Sequence, residues 1–152
     1  MEENLMMNKA ETTDTEFWSE EEYRKLPTLK GADPLELARE IARILDNKRG
    51  RDIKVLHVED KTEIADYFVL CTANSNTHIK SLVGEVEYRL DLRGVDSHHV
   101  EGRDNGTWVI ADYYHVIVHV FSREAREFYN LDKMWSDGEA LELDKILVNE
   151  QE

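Results

Sequence analysis

Tyr67-Phe68-Val69-Leu70-Cys71 is an unbroken apolar run. A strand with one wet face alternates apolar and polar residues, so a run without alternation predicts a strand covered on both sides, near the middle of a sheet. With its flanks this strand spans 66–72. Upstream, Ile53 to Val58 has the same β-branched character and predicts a second strand. Downstream, Asn74-Ser75-Asn76-Thr77 offers several N-cap side chains. Ile79, Leu82, Val83, Val86 and Leu90 then recur at helical spacing until Gly94.

Further out the pattern repeats. Asp33-Pro34 reads as a helix start, with a side-chain acceptor at the cap and proline where a missing N–H costs nothing. Leu37, Ala38, Ile41, Ile44 and Leu45 form one apolar stripe that ends in Asn47-Lys48-Arg49-Gly50, which predicts a helix over 34–48. On the C-terminal side an extended piece, 97–100, leads through the turn Asp104-Asn105-Gly106 to strands over 107–111 and 116–121, paired antiparallel. Ser122 caps a third helix carrying Phe128 and Tyr129, and Leu131 to Trp135 forms a last turn. The order α-β-β-α-β-β-β-α predicts an α/β domain with a mixed sheet of about five strands and packed helices.

The chain divides into three parts. Residues 1–32 are a polar, acidic extension, disordered or loosely docked through Phe17 and Trp18, with a short helix from Ser19 whose Glu22 completes a capping box. Residues 33–136 hold the domain. Residues 137–152 are an acidic tail with one helical turn at 141–147. Of the formal charge of −14 on 152 residues, eight acids against four bases fall in 1–32 and 25 against 15 in 33–152, so the domain itself is acidic. That sign repels phosphate backbones and anionic lipid, which argues against sequence-specific nucleic-acid binding and against a membrane partner, and favours a basic protein surface. The lone Cys71 allows no intrachain disulfide. With no export or transit signature and no long apolar run, this points to the cytoplasm.

No residue set reads as catalytic. Cys71 lies in the apolar strand, where burial suppresses the thiolate, and is expected to be inert. His115 and His119 have the spacing of a metal pair only on a helix; on a strand four residues span about 13 Å, too far for a shared ion. His98 and His99 point to opposite faces. His119 lies between Val118 and Val120, and its reading stays open between a hydrogen-bonded core histidine and a functional one with His57 or Asp112 as partners. Thr77-His78 opens a helix without the glycine-rich loop or lysine of a phosphate site, so capping accounts for it. Glu85 with Glu87, and Glu139 with Glu142, read as solvated surface. Neither a metal nor a cofactor is expected.

The informative residues are aromatic. Trp108, Tyr113, Tyr114, Phe121, Phe128, Tyr129 and Trp135 crowd the C-terminal half, more rings than a small core can hold, so some are expected on an exposed face. Tyr113 and Tyr114, at a tight hairpin tip, are predicted to be outside.

Six blocks carry a family resemblance over roughly 33–136: Ile64-Ala65-Asp66-Tyr67-Phe68-Val69; Asn74-Ser75-Asn76-Thr77-His78-Ile79-Lys80; Glu101-Gly102; Trp108-Val109-Ile110-Ala111-Asp112-Tyr113; Val116-Ile117-Val118-His119-Val120-Phe121; and Phe128-Tyr129-Asn130-Leu131-Asp132-Lys133-Met134-Trp135. In this order they resemble the ribosomal silencing factors, also called RsfS or Iojap-like proteins. The resemblance implies a nucleotidyltransferase-like α/β fold without the catalytic carboxylates. It also implies binding to the large ribosomal subunit through ribosomal protein L14, blocking subunit joining and repressing translation. A large-subunit assembly role and a nucleotidyltransferase-type enzyme are the alternatives, and a homodimer in the free state stays open. Carried onto this chain, the contact surface would involve Trp108, Asp112, Tyr113, His119, Phe121, Tyr129, Leu131 and Trp135. The family usually has glycine then aspartate where Tyr114 and His115 stand, which puts the turn type in doubt.

Overall fold

The structure is a computed structural model that describes residues 19–104, 106–134 and 139–140. Tyr67–Ala73 (β2) is an inner strand, with six of its seven residues buried, as its unbroken apolar run requires. On one side it pairs antiparallel with Arg51–His57 (β1), with an irregular register between Arg51 and Lys54. On the other it runs parallel to Val116–Ser122 (β5), in register from Tyr67 opposite Val116 to Ala73 opposite Ser122. Trp108–Asp112 (β4) lies antiparallel to β5, and His99–Glu101 (β3) lies antiparallel to β4. Glu139–Ala140 (β6) adds a two-residue pairing to the far edge of β1, giving the order β3-β4-β5-β2-β1-β6. The five principal strands and the mixed pairing agree with the fold class read from the sequence.

Pro34–Asn47 (α2) and Asn76–Leu92 (α3) cover one face of this sheet. Their apolar stripes, including Ile41, Leu45, Leu82 and Val86, pack on Val55, Val69, Cys71, Val109, Val118 and Val120. Ser75 caps α3 by accepting the His78 N–H. Asp33 stands at the N-cap of α2 but makes no side-chain cap bond. Only its carbonyl serves the helix, accepting from Leu37, and proline at the first position leaves one donor fewer to satisfy.

The opposite face carries a smaller core of Leu56, Val58, Phe68, Leu70, Ile117, Phe121, Ala125 and Leu131. Arg123–Tyr129 (α4) and Leu131–Met134 (α5) lie over it, joined at Asn130, whose left-handed φ of 52° turns the chain between them.

Part of the segment expected to be loose is packed. Ser19 and Glu22 form the capping box of Glu20–Arg24 (α1), and Tyr23 is fully buried against α2 and α3. Its hydroxyl donates to Glu40, and the guanidinium groups of Arg89 and Arg93 lie 5.1 and 5.3 Å from its ring centre. Leu29 joins the helical core. Tyr23 supplies an apolar anchor further along the chain than Phe17 and Trp18, which lie outside the described residues, as does the turn expected at 141–147.

Candidate functional site: an aromatic face of the sheet

Strand pleating sorts the C-terminal residues. Trp108 pairs with Phe121, Ile110 with His119, and Asp112 with Ile117, so all six share the face turned away from α2 and α3. α4 packs on β5 and β2, which leaves Trp108 and Ile110 of β4 only partly buried, whereas Val109 and Ala111 on the helical side are buried.

Trp108 is the hub of this face. Its ring centre lies 4.5 Å from Tyr129, 5.7 Å from Phe121 and 5.9 Å from His119. The indole N–H donates to His119 Nδ1 at 3.2 Å. His119 is buried, its ring centre 5.2 Å from that of Phe68 in a T-shaped pair, and burial pushes its pKa down to about 4, so the ring is neutral near pH 7. Because Nδ1 accepts, the ring proton sits on Nε2, a buried atom with no hydrogen-bond partner among the described residues. The partners considered for His119 in the sequence are elsewhere. His57 stacks on Tyr67 and contacts Glu59, and Asp112 accepts the Tyr114 N–H at 2.7 Å.

The rim comes from α4. Tyr129 is 48% exposed and Phe128 is 80% exposed, their rings edge to face at 5.0 Å. Arg126 holds this corner from within: it donates to Thr72 Oγ1, to the Asp52 carbonyl and to both oxygens of Asp132. Those bonds to Asp132, supported by Lys54, hold its carboxyl near 2.

The hairpin tip corrects one expectation. Tyr113 is buried at 3% exposure in the helix-side core, its hydroxyl without a partner among the described residues, while Tyr114 is 60% exposed. Counting the pleat from Trp108 to Tyr113 separates the two, since Val109, Ala111 and Tyr113 share parity and face the helices. Tyr114 takes φ of 72°, the left-handed conformation that its position in the turn demands.

Of the candidate contact residues, Trp108 and Asp112 are partly buried and Tyr129 is exposed, whereas Phe121, His119 and Leu131 form the floor and Tyr113 lies beneath the other face. Trp135 lies outside the described residues. Phe128, absent from that set, is the most exposed large apolar side chain described; its place two residues on from Arg126, roughly across α4 from it, was the available signal. Cys71 is buried, its thiol pushed up to about 12 by loss of solvation. His78 is engaged by the Asn74 N–H and the Lys48 carbonyl. No group of three or more metal-ligating side chains occurs among the described residues, and no helix there is long and apolar enough to cross a membrane.

The family model described as "Ribosomal silencing factor during starvation" matches residues 31–152. The Bacillus subtilis protein named Ribosomal silencing factor RsfS is 37% identical over 99 residues, covering 65% of this chain and 84% of its own length. The mouse protein named Mitochondrial assembly of ribosomal large subunit protein 1 is 29% identical over 96 residues, covering 61% of this chain and 42% of its own. A crystal structure of a protein from Chromobacterium violaceum superposes with a TM-score of 0.66 at 29% identity, covering 68% of this chain and 87% of that one. The chain therefore belongs to the ribosomal silencing factor, or RsfS, family.

Proposed function

We propose that the protein docks on the large ribosomal subunit through ribosomal protein L14 and keeps the small subunit from joining, repressing translation in the cytoplasm without a reaction of its own. Membership of the RsfS family carries this reading. The aromatic face supplies a physical means: Trp108, Tyr129 and Phe128 offer rings on a rigid sheet and helix, the kind of anchor that dominates protein interfaces. Phe121, His119 and Leu131 hold these rings from beneath, Asp112 and Trp135 belong to the same proposed contact, and Tyr113 acts only as core. A net charge of −14 favours a basic ribosomal protein and disfavours the surrounding rRNA, so charge selects the site while rings supply affinity.

Sucrose gradients test this. Added protein should co-sediment with large subunits and reduce joined ribosomes; unchanged joining at saturating protein would remove the claim. The name of the mouse relative favours a second reading, a role in large-subunit assembly. Depletion followed by precursor-rRNA analysis separates the two, because accumulated precursors are expected only for assembly.

A further inference from the structure

The β4–β5 hairpin tip holds a feature that neither core packing nor the aromatic face accounts for. Tyr114 adopts φ of 72°, where a bulky L-residue is strained and where glycine would rest without strain. No burial offsets this, since the residue is 60% exposed. The conformation is instead held by polar contacts: Asp112 Oδ1 accepts the Tyr114 N–H at 2.7 Å, and His115 N–H donates to the Tyr113 carbonyl at 2.9 Å. The Tyr114 ring rests against His98 at 4.6 Å between centres. A second carboxylate, Asp66, stands 3.5 Å from His115, whose carbonyl accepts from the Asp66 and Tyr67 N–H groups. An exposed phenol ring therefore sits in a turn braced by one carboxylate at its backbone, with a second carboxylate beside the next residue.

We propose that Tyr114, backed by His98, with Asp112 bracing its backbone and Asp66 beside His115, is a seat for an arginine or lysine side chain of a basic protein. A guanidinium or ammonium takes a ring face and a carboxylate together, and the net charge of −14 draws such a partner in. Asp112 shares the sheet face of Trp108, four residues and about 13 Å along the strand, so the seat falls within one ordinary interface footprint. In this form the inference rests on the docking proposed above and adds a second contact to it.

The test uses the full chain, purified large subunits and a blocked Arg-Gly-Arg tripeptide. Tyr114→Gly relieves the backbone, so it should melt at the same or a higher temperature, yet it should bind large subunits about fivefold more weakly. Tyr114→Asn, which also tolerates the turn, should behave alike. In NMR titrations the tripeptide should shift Tyr114 and His98 first, and Tyr114→Leu should weaken its binding about fivefold. Wild-type affinity for both ligands in Tyr114→Gly, or peptide shifts confined to other residues, overturns the seat. A wild-type chain that ignores large subunits while its tip still takes the peptide overturns the docking reading and leaves the seat standing.

Discussion

The Trp108 indole N–H bonds His119 Nδ1 at 3.2 Å, tying the partly exposed centre of the aromatic face to its buried floor. Trp108 is thereby held in one orientation, which would lower the ordering cost of the proposed docking.

Burial of His119 makes the fold acid-sensitive in a defined window. His119 is depressed from the usual 6.5 to about 4, so the unfolded chain takes up the proton first as pH falls. Stability is full above 6.5, declines through the interval, and the contribution is gone below 4. Urea unfolding should lose about 2 kcal/mol between pH 7.5 and 5. His119→Phe, which keeps a ring and removes the titration, should flatten that slope.

Arg126 and Asp132 govern a lower window. Asp132 is held near 2 against the usual 3.8, first by its hydrogen bonds to Arg126, so its contribution is present above 3.8 and lost as pH falls toward 2. Arg126→Met leaves Asp132 with Lys54 alone and removes the donor to the Asp52 carbonyl, and should cost roughly 1.5–3 kcal/mol in urea melts. Asp132→Asn should cost less and should abolish the low-pH transition.

Tyr113 separates packing from recognition. Its buried hydroxyl has no partner among the described residues, so Tyr113→Phe should be neutral or stabilising by about 1 kcal/mol in thermal melts. Tyr113→Ala should destabilise by about 3–5 kcal/mol through the cavity left under α3.

Cys71 should resist thiol reagents in the native protein and react only on unfolding, because its thiol is both buried and pushed up to about 12. Gly50→Ala should destabilise the fold, since a Cβ there would overlap the Cys71 sulfur.

What the sequence disclosed followed the periodicity of its elements. The unbroken run at Tyr67 announced an inner strand, and the stripes of α2 and α3 announced the covered face. The carboxyl of Asp33 and the ring of Tyr23 were harder to read, because one depends on local backbone geometry and the other on Glu40, Arg89 and Arg93, brought from two other helices. At the candidate site the aromatic blocks drew attention to β4, β5 and α4, whose rings meet on one face. Which ring is floor and which is rim depends on where α4 lands on β5 and on the turn at Asn130, which no spacing rule supplies. Tyr113 shows the opposite: its burial was written in strand parity, and the hairpin tip distracted from it.

α2 and α3 close the far side of the sheet, and the short α4 and α5 cover only part of the near side. A sheet carrying a layer of helices stands roughly 20 Å tall. A protein lying on its open aromatic side would thus act as a rigid wedge whose height exceeds any side chain's reach, so obstruction would require coverage of only a small area beneath it.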